Sequence, residues 1–165
     1  KSNKTPEVIA KLSEILDYIL YQCKGKFVLL KNEATLLHNY IALEEVRYGN
    51  RVKVSFTEDI SNDSKIAPLI LLTFLENAFK HGVSQELNTA SIDLYIKGDL
   101  KDIEFKIENT KPIISEKNYD DSREAIGLKN IKKQLDLLYS NNYELEVKNT
   151  RELYSVNLKI TTNDI

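Results

Sequence analysis

A two-layer α/β sandwich is the fold class that these 165 residues predict, with a mixed sheet covered on one face by helices and a helical extension at the N-terminus. Two patterns carry the prediction. Apolar and polar residues alternate in five short segments, the mark of strands buried on one face. Before and between those segments, apolar residues recur at helical spacing instead. A hydrophobic share of 42% beside 29% charged residues is enough to fill one core in a chain of this length.

Thr5 and Pro6 form an N-cap and N1 pair, and Val8, Ile9, Leu12, Ile15, Leu16, Ile19 and Leu20 then follow at helical spacing to about Gln22. A lone helix cannot bury that stripe, so the sequence predicts pairing with another helix or a second copy of the chain, the alternative being packing onto the domain in cis. Gly25 breaks the chain before Phe27 to Leu30. A second helix is predicted from about Lys31 to Tyr48, with Leu36, Leu37, Tyr40, Ile41 and Leu43 inward and Gly49-Asn50 as its stop. From Arg51 the period becomes two: Val52, Val54 and Phe56 alternate with Arg51, Lys53 and Ser55. A polar turn, Ser61 to Ser64, leads into a central helix over Pro68 to Gly82. Alternation returns in Ile92, Leu94 and Ile96, in Ile103, Phe105 and Ile107, around Leu145 and Val147, and in Val156, Leu158 and Ile160. Clean alternation leaves one sheet face for helices and the other for water. Thr110 to Glu124 has no period and is expected to be a mobile loop. A last helix is expected to start at Gly127, with Leu128, Ile131, Leu135 and Leu138 on its buried side.

Composition excludes several function classes. A formal charge of −2 and a pI near 5.8 offer no basic track for a nucleic-acid backbone. Cys23 is the only cysteine, so no disulfide framework exists and a reducing compartment is expected. The longest apolar run, Ile66 to Leu75, is interrupted by Pro68 and is about half of what spans a bilayer, so no membrane contact by this stretch is expected. The chain begins at Lys1 and holds no methionine, from which we expect a fragment of a longer parent.

The central helix carries the chemistry. Leu69, Ile70, Leu71, Leu72, Phe74, Leu75, Ala78 and Phe79 leave little room for a solvated face, yet at about 100° per residue Thr73, Asn77, Lys80 and His81 share one stripe. An asparagine oxygen can ligate a hard cation and a lysine one turn on can neutralise a phosphate, which suits a Mg-nucleotide. Two plainer readings stay open: Lys80 can pair with Glu76 at i,i+4, and His81 with Gly82 can simply close the helix. Gly127, at the expected start of the last helix, would bring a phosphate close to free backbone N–H groups. With only five glycines, the chain has neither a P-loop nor a dinucleotide fingerprint.

The order of the pieces is specific: a helix carrying LENAFKHG, two alternating strands, a polar loop, then AIGLKN opening a helix that ends in DLLY. It resembles the ATP-binding catalytic domain of sensor histidine kinases, within the Bergerat-type GHKL superfamily that also holds gyrase-type and Hsp90-type ATPases. Glu33 to Arg51 resembles the segment that leads into this domain in kinases of the LytS or YehU kind. The resemblance implies residues 1–30 as the C-terminal part of a helical dimerisation region and 31–165 as the ATPase domain, with a lead-in helix over 31–50 and the sandwich over 51–165. It implies ATP and Mg²⁺ as cofactors and Asn77 as the metal-binding asparagine. Lys80 and His81 fall near the phosphates, Gly127 and Leu128 as backbone donors, and Glu76 beside them as a third catalytic candidate. It implies transfer of the γ-phosphate to a histidine upstream, a homodimeric parent, a response regulator as partner, and a cytoplasmic domain on a parent in the bacterial inner membrane.

The pattern is departed from in two places. The family's Asp-x-Gly-x-Gly box is replaced by Ile107-Glu108-Asn109-Thr110-Lys111-Pro112. Strand alternation puts Asn109 where the adenine-reading aspartate stands, with Glu108 one position off and both glycines missing. Ala125 occupies the usual place of the lid's first glycine. A non-catalytic signalling module working by dimerisation or regulator docking is therefore the alternative, and an ATP-hydrolysing machine of the gyrase kind a more distant one.

Overall fold

The computed structural model describes residues 4–83, 89–111 and 121–162, the last range without the side chains of 121–126. Helix α1, Thr5–Asp17, continues as a wider π-helical turn, Tyr18–Gln22. Strand β1, Val28–Leu29, leads into α2, Leu30–Tyr48, which Gly49 ends at a φ of 57°, a conformation glycine adopts without a Cβ clash. Strand β2, Val52–Ile60, and the two-residue β3, Lys65–Ile66, precede α3, Ile70–Ala78, and its π-helical continuation, Phe79–Val83. Strands β4, Ala90–Gly98, and β5, Asp102–Thr110, come next, then α4, Asp121–Tyr139, and strands β6, Tyr143–Asn149, and β7, Leu153–Thr161.

Five strands form one mixed sheet in the order β2-β4-β5-β7-β6, parallel only between β2 and β4. A parallel pair needs a crossover, and α3 lies in it. Along β5 the inward side chains are Ile103, Phe105, Ile107 and Asn109, while Glu108 points to the wet face. The helix-covered face packs Phe74 and Leu75 of α3 and Phe79 of its continuation with Ile131 and Leu135 of α4 in one core with Ile92, Phe105 and Leu158. Strand β3 pairs antiparallel with β1, a ladder too short for alternation to reveal.

Two expectations change. The α1 stripe divides: Ile15 and Tyr18 are buried, while Ile9, Leu12, Leu16, Ile19 and Leu20 stay exposed. Packing in cis thus accounts for one flank only. The last helix begins at Asp121 and not at Gly127. Asp121, Ser122, Glu124 and Ala125 are residue types that start or tolerate helices, but they carry no apolar period, so periodicity alone found only the packed part. Gly127 and Leu128 therefore lie beyond the first turn, where helical N–H groups bond to carbonyls of the same helix. Their expected role as free backbone donors at a helix start does not hold. Within the expected loop, Thr110 belongs to β5 and 121–124 to α4, and residues 112–120 lie outside the described ones.

Candidate functional site

Helix α3 sets the site, and its start is fixed by a turn the sequence would not choose unaided. Leu69 holds a left-handed φ of 68° with no side-chain cap, a conformation that costs a non-glycine residue about 1 kcal/mol or more. Its N–H donates to Glu33 Oε2 at 3.0 Å, and the Tyr18 hydroxyl donates to the other oxygen, Oε1. Glu33 is 0% exposed. Burial pushes its carboxyl above the ordinary glutamate range, against the lowering effect of those two donors. Ala67 N–H donates to the Tyr139 hydroxyl at 2.7 Å, and burial pushes that phenol up to about 12.

The other end of α3 widens instead of stopping. At Phe79 it becomes a π-helical turn, a form that recurs at functional sites, and Phe79 is wedged against Tyr40 and Tyr48 at ring separations of 5.8 and 6.3 Å. Past Ala78 the 100° spacing no longer applies. Asn77 and His81 are half-buried and Lys80 is exposed. Glu76 lies on the exposed side, its carboxyl raised by burial and by the neighbouring Glu44.

Two glycines bring other elements to this turn. A Cβ at Gly127 of α4 would stand 3.8 Å from Asn77 Nδ2, ordinary van der Waals contact, so α4 lies beside the asparagine. A Cβ at Gly82 would stand 2.6 Å from Asn109 Nδ2 and 3.0 Å from the Thr110 carbonyl oxygen. Only a glycine lets the π turn sit this close to β5. Asn109 is 2% exposed, and its Nδ2 donates to the Thr110 carbonyl at 3.0 Å. That bond leaves Oδ1 as the amide's accepting end.

The structure thus gathers Asn77, Gly127 and, through Gly82, Asn109 around one helical turn that also carries Glu76, Lys80 and His81. Leu128 is half-buried and packs on the core. Glu108, the off-register candidate, lines a groove of about 470 Å³ on the wet sheet face with Tyr95 and Lys106, on the opposite side from Asn109. His38 is remote from the turn, stacked 4.3 Å from Phe56 with Nε2 3.4 Å from Glu58. Sequence reasoning missed Glu33, whose signal was a carboxylate inside the apolar row Leu30, Ala34, Leu37 and Ile41. For Gly82 it offered only a helix-closing role, and the structure adds a close approach to Asn109.

A family model described as Histidine kinase matches residues 1–52. Among curated relatives, the Bacillus subtilis (strain 168) protein YwpD is 33% identical over 111 residues, covering 64% of this chain and 40% of that protein. The sensor protein LytS of Staphylococcus haemolyticus (strain JCSC1435) is 22% identical over 99% of this chain and 30% of its own length. The chain spans less than half the length of these relatives. Among solved structures, the histidine kinase domain of a blue-light activated kinase from Erythrobacter litoralis superposes with a TM-score of 0.59 at 17% identity, covering 94% of this chain and 81% of that one. No helix among the described residues is long and apolar enough to cross a membrane.

Proposed function

We propose that this chain, a LytS-like histidine kinase ATPase domain by fold and by sequence likeness, binds Mg-ATP around the π turn of α3 and presents it to a histidine outside the chain. The observation that supports the reading is that the widened end of α3 meets two other elements, Gly82 tightly against Asn109 of β5 and Asn77 in van der Waals range of Gly127 of α4, so that two amides come to one region. The donor set fits the group. Mg²⁺ takes few protein oxygens and fills its shell with phosphates and waters, and Asn77 offers one such oxygen in a half-buried position. Asn109, buried and turned so that Nδ2 donates to Thr110 and Oδ1 is the accepting atom, fits the adenine amino group.

Bound Mg-ATP supplies the phosphoryl group and its charge neutralisation, and phosphoryl transfer asks the protein mainly for positioning. In this reading Asn77 orients the cation, Lys80 and His81 face the phosphates, and Asn109 fixes the base. Glu76, with its raised carboxyl, takes the proton that an attacking imidazole releases. Gly127 of α4 lies beside Asn77. The acceptor histidine upstream, a homodimeric parent, a cytoplasmic setting beneath a membrane-anchored sensor, and a response regulator as downstream partner belong to the same proposal. The exposed α1 flank supports the dimer.

Calorimetric titration with ATP, with and without Mg²⁺, tests the reading. Asn77→Ala is expected to remove Mg²⁺-dependent binding while the melting temperature of the nucleotide-free protein stays within a few degrees. A loss of several kcal/mol of nucleotide-free stability would mark Asn77 as a structural hydrogen-bonding residue instead.

A further inference from the structure

We propose that Glu33 is a positioning residue that ties the setting of α1 to that of the nucleotide-site helix α3. Three observations meet in it. It is a fully buried carboxylate on α2, between the two helices it links. Each of its oxygens is spoken for by a different element: Oε1 by the Tyr18 hydroxyl, at the point where α1 widens into its π turn, and Oε2 by the Leu69 N–H, the residue before α3. Leu69 is held in a left-handed conformation that no side-chain cap supports. A buried carboxylate is costly to strip of its donors, so a displacement of Tyr18 is felt at Leu69. The strain at Leu69 makes that junction the place where α3 can reset.

The proposal rests on the reading of α3 as the nucleotide helix. If α1 moves, through dimer contacts on its exposed flank, Glu33 transmits the movement to the start of α3, and Asn77 lies eight residues, about two turns, beyond the N-cap Leu69. Coupling of this kind is reciprocal: whatever factor α1 imposes on nucleotide affinity, the nucleotide imposes on α1.

The test uses the chain itself, with Mg-ATP titrated by calorimetry and amide hydrogen exchange read by peptide. Tyr18→Phe removes one donor and little volume. It is expected to weaken Mg-ATP about two- to tenfold, the equivalent of one hydrogen bond, and to speed exchange across 69–78 while β4, β5 and β7 exchange as in the wild type. In the wild type Mg-ATP should slow exchange across 17–22, and in Tyr18→Phe it should not. Glu33→Gln keeps an accepting oxygen for Leu69 and offers an N–H₂ to the Tyr18 oxygen, so it should bind Mg-ATP like the wild type, whereas Glu33→Ala should behave as Tyr18→Phe or worse. Should Tyr18→Phe not fold, the contrast between Glu33→Gln and Glu33→Ala decides: Mg-ATP should slow exchange across 17–22 in the first and not in the second, and slowing in both overturns the coupling. Wild-type affinity in Tyr18→Phe, or an unchanged 17–22 segment on nucleotide binding, overturns the coupling alone. No Mg-ATP binding by the wild-type chain overturns the nucleotide reading and the coupling with it.

Discussion

Replacing Gly82 by alanine is a small change with a large expected effect. The new Cβ would fall 2.6 Å from Asn109 Nδ2, 3.2 Å from its Cγ and 3.0 Å from the Thr110 carbonyl oxygen. Contacts under 3.0 Å are not tolerated, so one partner must move. The Thr110 carbonyl belongs to β5, paired through Leu153 of β7, which leaves the Asn109 amide as the softer partner. That amide is buried and bonded to Thr110. Overpacking costs about 1 to 3 kcal/mol and the lost hydrogen bond about 0.5 to 1.5 kcal/mol. Together they lower stability by about 1.5 to 4.5 kcal/mol, or about 3 to 18 °C in melting temperature for a domain of this size.

A double-mutant cycle isolates the cause. Asn109→Ala removes the nearest atom, Nδ2, together with Cγ and leaves only the Thr110 oxygen at 3.0 Å, so Gly82→Ala should cost at least about 1 kcal/mol less in that background. Urea denaturation of the nucleotide-free wild type, both single variants and the double variant measures it. If Gly82→Ala costs the same in both backgrounds, the Asn109 amide does not occupy the space beside Gly82, and its assignment to the base side of the site fails with it.

Three further outcomes are expected. The wild-type chain should bind ATP about two- to tenfold more tightly than GTP, because turning the Asn109 amide to donate to a guanine oxygen breaks its bond to Thr110; equal affinities in parallel titrations would show the amide turned. Weak self-association in sedimentation should vanish in Leu16→Glu, since Leu16 is 48% exposed on the uncovered flank of α1, and a wild-type monomer at every concentration would refute this. Burial raises the Glu33 carboxyl, so between its unfolded value of about 4.3 and its folded one the native chain binds the extra proton. Its contribution therefore makes stability fall as pH rises through that window, and Glu33→Gln should flatten the slope of the urea midpoint against pH.

Periodicity made most of the fold legible. Alternation located all five strands of the main sheet, and helical spacing located α2 and α3, because each has one face that water must not reach. What it could not show was structure without a burial signature. The two-residue β1 and β3 are too short to alternate. The first turn of α4 is helical without an apolar row. The site was legible to the extent that it interrupts a pattern. Asn77 was visible as an amide in an apolar helix, and Asn109 as a polar residue in the inward phase of β5, where the structure does place it. Gly82 and Glu33 were not recognised, since a close approach between α3 and β5, or a bond from α2 to the Leu69 amide, depends on distant segments meeting.

The segment that launches α3 is held by three hydrogen bonds, two to α2 and one to α4. Leu30 N–H at the start of α2 donates to the Ser64 carbonyl at 2.8 Å, Ala67 N–H to the Tyr139 hydroxyl closing α4, and Leu69 N–H to Glu33. None of these partners belongs to the main sheet. The start of α3 is therefore referenced to the helical layer, while its widened end is referenced to β5 through Gly82 and Asn109. Asn77 lies between the two, one residue before the last residue of the α-helical part. The start of α3 thus answers to α2 and α4, through one backbone and two side-chain bonds, while its widened end meets β5 at Gly82 and α2 at Phe79. Leu69 combines a left-handed backbone with a bond to the same carboxyl that Tyr18 holds, so a shift driven from α1 should begin at that strained junction and arrive at Asn77, with the sheet as the stationary frame.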